Sequence, residues 1–172
     1  PDRAVTVYAN RAREAFPGLP IIIGGLEASL RRFAHYDYWD DKVRRSYLED
    51  SGADLLGYGM GERMLNQICA RLKRGEPIGS IRDIPGTCYL CETKDTPLTG
   101  VECPSYKNVC ASKREYAIAT RIQMDEQDHI RGKLIKQRHD NVMLVQNPPM
   151  PPLTTKELDS VYALPYMRTY HP

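Results

Sequence analysis

An α/β fold built on a parallel sheet is what this sequence predicts, and three observations predict it. Pro20 is followed by Ile21, Ile22 and Ile23, a run apolar on both faces, as strands of a covered parallel sheet are. That run breaks at Gly24-Gly25, and a second apolar run, Asp54 to Tyr58, breaks at Gly59-Met60-Gly61 in the same way. Up to about residue 90 the pattern alternates helix, strand, helix, strand, helix, strand, the order of crossover units in a parallel sheet.

Each element has a local reason. Asp2 is placed to cap a helix whose inward positions Val5, Tyr8, Ala9, Ala12 and Phe16 recur at helical spacing, and Pro17-Gly18 stops it. The strand that would precede this helix is expected before residue 1. After Ser29 the segment Arg31 to Asp41 keeps no steady period, and it gathers Trp39, Tyr36, Tyr38 and His35. Lys42 to Glu49 reads as a short helix with Val43 and Tyr47 inward. Met64, Leu65, Ile68 and Leu72 mark the clearest helix; Arg71, Lys73 and Arg74 oppose the negative end of its dipole, and Gly75 ends it. Thr87 to Leu90 is the third strand, expected to be parallel to the first two.

Composition changes at Cys91, and residues 91–104 read as a loop. Pro104-Ser105 opens a short helix, and Ser112 with Glu115 has capping-box spacing for a longer one to about Asp128. Leu134-Ile135 and Val142 to Val145 flank a hairpin turn, and Asn147 to Pro152 is a stiff linker. Thr154 or Thr155 caps a last helix to about Tyr162, and Leu164 to Pro172 have no core of their own. The chain therefore divides into a Rossmann-like α/β unit over residues 1–92, a helical segment plus β-hairpin over 93–146, and a Pro-rich linker and helix over 147–172.

The totals exclude several classes. Across 172 residues, 24 basic and 22 acidic side chains leave a net charge of +2, so no global field points to nucleic acid or a membrane surface. No apolar run approaches the length of a membrane span and no signal-peptide pattern is present, so a soluble cytoplasmic protein is expected. The five cysteines, at 69, 88, 91, 103 and 110, are odd in number and read as free thiols. The opening Pro1-Asp2, with no methionine, suggests a segment of a longer protein.

Candidate sites follow from residue chemistry. Gly24-Gly25, with Glu27 and Ser29 just after, delivers a flexible turn to the carboxyl edge of a sheet, where ligands of open α/β folds bind. Gly59 and Gly61, with Glu62 opening a helix, could cradle an anion; the pattern is not G-x-G-x-x-G, and a purely structural turn is the commoner outcome. His35, Tyr36, Asp37, Tyr38, Trp39 and Asp40 form either a substrate wall or a domain-packing surface, since both use such residues. Cys88 and Cys91 could share zinc with Cys103 and Cys110, but the second pair is too widely spaced, and no metal ligand set or catalytic residue is expected in the chain.

The stretch Ile21 to Ser46 resembles, almost letter for letter, the N-terminal region of the YgiQ-type radical SAM proteins. Gly59 to Glu62, Ile84 to Cys88, Gln146 to Pro149, Pro152 to Thr155 and Leu164 to Pro172 continue the resemblance in the family's order, so that it covers essentially the whole chain. It implies a 4Fe-4S cluster on three cysteines spaced C-x3-C-x2-C, with S-adenosylmethionine on the fourth iron. That motif is missing here: Ile84 stands where its first cysteine would precede Cys88 and Cys91. The cluster motif is expected shortly beyond Pro172, so the chain's partner is a radical SAM core downstream in cis, and no cofactor is expected to bind tightly to the chain itself. Gly24-Gly25 with Ala28-Ser29, and the Gly-x-Gly-Glu ending at Glu62, look like the second half of a cobalamin-binding domain. The cobalt-ligating D-x-H-x-x-G loop is incomplete, because Gln127 stands two before His129 and Asp128 comes one residue late. A nucleotide- or cobalamin-binding module, or a protein-interaction module, is the alternative to an accessory region that positions substrate or caps the catalytic barrel.

Overall fold

A computed structural model of the chain describes residues 3–169. The cap expected from Asp2 and the end of the last motif, Tyr170 to Pro172, lie outside the described residues. In order the elements are α1 (Ala4–Ala15), β1 (Ile22–Ile23), α2 (Gly25–Leu30), β2 (His35–Asp37), β3 (Lys42–Arg44), α3 (Tyr47–Ser51), β4 (Leu55–Gly57) and α4 (Glu62–Lys73). They continue with β5 (Thr87–Glu92), β6 (Val101–Cys103), α5 (Tyr106–Ala111), α6 (Lys113–Asp125), β7 (Ile135–His139), β8 (Val142–Gln146) and α7 (Thr155–Tyr162).

Six strands form one sheet in the order β1-β4-β5-β8-β7-β6, while β2 and β3 form a separate hairpin. The α/β class holds, and β1 and β4 pair in parallel as expected. The third strand does not follow them: β5 runs antiparallel to β4 and antiparallel to β8. Its direction is decided by the long ladder to β8, from Cys88 opposite Gln146 to Glu92 opposite Val142, which joins residues on both sides of position 92 in one sheet. The sheet is therefore mixed, with a second parallel pair between β6 and β7 at its far side.

Strand alternation sorts the core into two layers. Leu56, Cys88 and Leu144 point to one face and pack with Ala9, Ala28, Tyr47, Leu48, Val109 and Ala119 from the helices there. Leu55, Tyr89, Cys91, Met143 and Val145 point to the other, where Met64 and Ile68 of α4 meet Ile81 and Ile84. Ile68 is fully buried, a placement that contributes about 2 kcal/mol.

The caps are in place: the Ser105, Ser112 and Thr154 side chains accept from Asn108, Glu115 and Glu157 amides, and Glu157 closes a capping box. The β7–β8 hairpin turns at Asp140, whose φ of 47° is the left-handed conformation a tight turn needs. Two expectations are corrected. Lys42 to Glu49 is not one helix, because Lys42–Arg44 pairs as a strand with β2 and the helix starts only after the Ser46 cap. The stretch after Cys91 is not all loop, because Val101–Cys103 pairs in parallel with β7. Asn147 enters the Pro-rich stretch from inside the fold: its amide nitrogen donates to Arg82 O, Ile84 O and Thr87 Oγ1.

Candidate functional site

Two places singled out by sequence meet different fates. The glycine turns come together at the carboxyl ends of β1 and β4, where a Cβ on Gly24 would stand 3.5 Å from Gly57 O. Gly25 and Gly59 have φ of 80° and 71°, so both turns need the left-handed backbone. Just before the second turn Met64 packs against the strand end, where a Cβ on Gly57 would lie 2.3 Å from Met64 Cε, whereas a Cβ on Gly25 or Gly59 would meet open space. Glu27 turns inward to its own fold, accepting from Tyr47 Oη at 3.2 Å and facing Val5 N at 3.4 Å. The Ser29 carbonyl accepts from Arg32 Nη1, Gly61 precedes the first residue of α4, and Glu62 is exposed.

The hairpin β2–β3 is organised by alternation. His35 and Asp37 point inward and are buried, while Tyr36, Tyr38 and Trp39 point out and are 50%, 62% and 71% exposed. Asp37 Oδ2 accepts from Arg3 Nε and Nη2 at 3.2 and 2.8 Å, and its Oδ1 accepts from Trp39 N. Asp40 Oδ2 accepts from Arg3 Nη2 at 2.6 Å and Arg44 Nη1 at 2.8 Å. The Arg3 guanidinium holds the carboxyl groups of both Asp37 and Asp40 below their usual range. The Tyr38 and Trp39 rings lie 4.6 Å apart, an aromatic platform on a hairpin locked from below.

Burial pushes the His35 imidazole down to about 4, so it is neutral: Nδ1 donates to Phe33 O at 3.2 Å, and the ring meets Tyr47 edge-on. Deeper still, His139 is fully buried on β7, stacked on Tyr106 at 5.6 Å. Gln137 Oε1 already accepts from Ala34 N, so His139 Nε2 must be the donor in its 3.0 Å contact with that oxygen. Nδ1 faces Glu49 Oε2 at 3.0 Å, which brings α3 against the sheet. Burial raises the Glu49 carboxyl, and the His139 and Arg45 contacts outweigh it, so the group lies below its ordinary value.

Beside the hairpin a cavity of about 860 Å³ opens toward the α5–α6 junction, lined by Tyr36, Lys42, Val43, Cys110, Ser112 and Tyr116. Sequence reading reached Tyr36 but missed Lys42, Cys110 and Tyr116; only the pairing of β3 with β2, invisible in so short an alternation, could have signalled them. Tyr116 Oη accepts from Tyr36 N at 3.2 Å, so α6 braces the hairpin.

The cysteines do not form a metal centre. Cys88 and Cys91 sit three apart on one strand, so one faces each core layer and they cannot converge on a single ion. Burial pushes the Cys88 and Cys103 thiols up to about 12, away from the thiolate a metal needs. Among the described residues no three His, Cys, Asp or Glu side chains are grouped to hold a metal ion. The residues present therefore do not fit an iron–sulfur cluster. His129 gives no cobalt site either: the neighbouring Asp128 carboxylate caps its own turn, accepting from Ile130 N and Arg131 N.

The family model described as Radical SAM N-terminal matches residues 1–172. The chain is 58% identical over 173 residues to a UPF0313 protein of Clostridium botulinum strain 657. It is 53% identical over 173 residues to one of Clostridium perfringens strain SM101. It is 53% identical over 172 residues to one of Methanocella arvoryzae. Each alignment covers 100% of this chain but 27%, 26% and 29% of the respective relative, so the chain spans little more than a quarter of their length. No solved structure matches the chain.

Proposed function

This chain belongs to the radical SAM N-terminal family, and we propose that it is the accessory region of a radical SAM iron–sulfur enzyme, docking through its aromatic hairpin onto the catalytic core of the same polypeptide. The intact protein would hold a 4Fe-4S cluster and S-adenosylmethionine on that core, supplying the radical chemistry; the residues here supply placement. The observation that carries this reading is the outward Tyr36, Tyr38 and Trp39 on a hairpin whose inner face is held by Arg3 and Arg44. Exposed aromatic residues on a rigid base are what central interface contacts are made of, because little ordering entropy is lost when they are buried. The relatives' extra length supports a large partner in cis. No described helix is long and apolar enough to cross a membrane, and five unpaired cysteines fit a reducing cytoplasm.

Oxidative footprinting of the full-length protein tests the reading. Tyr38 and Trp39 are expected to be shielded whether or not substrate is present. Shielding only on adding substrate would assign the hairpin to the substrate wall instead, and full reactivity in both states would remove the docking role. A second reading, a nucleotide- or cobalamin-binding module at the glycine turns, lacks both a complete cobalt-ligating loop and the G-x-G-x-x-G pattern. Calorimetric binding of either ligand to the full-length protein, abolished by Gly59→Val, would revive it.

A further inference from the structure

We propose that β1 is an interior strand in the intact protein: a further strand of the same polypeptide, from outside residues 1–172, lies parallel to β1 and fills the groove between it and α1. β1 stands at one end of the sheet order, with β4 as its partner. Ile21 turns its backbone toward β4, its N–H donating to Asp54 Oδ2 at 2.7 Å and its carbonyl accepting from Asp54 N at 2.9 Å. Backbone direction alternates along a parallel strand, so the N–H and C=O of Ile22 face away from β4, toward the open side. Ile21 and Ile22 are only half-buried although the run is apolar on both faces, the signature of a strand meant to be covered throughout.

The groove has the right place and lining. A cavity of about 360 Å³ runs between α1 and the strand, lined by Val5, Tyr8, Ala12, Ile21, Ile22 and Ile23. α1 starts beside the carboxyl end of β1, where Val5 N faces Glu27 Oε2, and runs back along the strand to the turn before it. That is the course of a crossover helix, and a crossover helix covers two parallel strands. α1 here covers one strand and a gap. The occupant is therefore a strand with apolar side chains at alternate positions, taken from the polypeptide that makes the relatives several times longer. A bare apolar edge would instead template pairing between molecules. This inference does not depend on what chemistry the intact protein performs.

Residue-resolved amide hydrogen exchange on the full-length protein decides it. The Ile22 amide is expected to be protected to within roughly tenfold of Ile23, which faces β4, at every protein concentration. Ile22 exchanging as an open edge while Ile23 stays protected would overturn the proposal. So would protection that fades on dilution, which would make the occupant a second copy. Ala12→Glu, placed in the groove, is expected to speed Ile22 exchange more than roughly tenfold while leaving Leu144 in the sheet centre protected. Unchanged Ile22 protection in that variant would show that no strand seats there.

Discussion

The glycine turns and the aromatic hairpin both stand out in the sequence, yet the fold packs a core side chain against the strand end leading into one and displays the rings of the other. At Gly57, the last residue of β4, the close approach that glycine permits is used by Met64, a side chain from the next helix, while the turn glycines Gly25 and Gly59 face open space. On the hairpin the polar residues are spent on internal bonds from Arg3 and Arg44, and the large apolar rings are left facing out. A glycine at a sheet end says that something comes near; it does not say that the visitor is a ligand. An exposed aromatic group on a locked base is the stronger sign of a missing neighbour.

Five substitutions and one titration sharpen this contrast. The largest effect is expected at the strand end by Gly57: Met64→Ala should cost about 3–4 kcal/mol in urea unfolding, because a buried side chain leaves a cavity. Gly57→Ala alone should cost about 1 kcal/mol by overpacking, yet should recover part of the loss in the Met64→Ala background. Strict additivity of the two would mean that Met64 does not fill that space.

Next comes the pH response of the hairpin's inner face. His35 is held down to about 4 in the fold by burial, while an unfolded imidazole sits near its ordinary 6.5. Between those values the unfolded chain binds more protons, so stability is full above about pH 6.5 and falls as pH drops toward 4. The loss should reach up to about 3 kcal/mol, with Asp37, Arg31, Arg44 and Tyr47 as the neighbours that modulate it. His35→Phe, which cannot titrate, should flatten that part of the pH–stability curve; an unchanged slope would assign it elsewhere.

Asp37→Asn should cost about 1–2 kcal/mol, since it weakens charge-assisted bonds from Arg3 but keeps the Trp39 turn. The smallest effect is expected at the displayed ring: Trp39→Ala should change stability of the isolated fold by less than about 0.5 kcal/mol. A much larger loss would show that the ring packs within the chain and would erase the contrast with Met64.

How far the sequence could be read depended on how local each determinant is. The α4 stripe, the turn at Asp140 and the Thr154–Glu157 box are settled within a few residues and were legible. Strand direction is not local: Thr87 to Glu92 reads identically either way, and only its ladder with β8, some fifty residues on, turns it antiparallel. Val101–Cys103 is a strand because β7 offers an edge, not because its three residues insist on one. The Cys88–Cys91 spacing is that of a ligand pair, yet along a strand it sends the two thiols to opposite faces. The cavity beside the hairpin gathers Lys42, Cys110 and Tyr116 from three separate elements, which no one-dimensional pattern could connect.

Arg3 carries one more consequence. A single guanidinium at the entrance of α1 grips Asp37 and Asp40 together, so the display of rings is hitched to the helix beside the open strand. The ring-bearing hairpin and the groove beside β1 thus share α1 as a common anchor, with Arg3 as the link between the two rims.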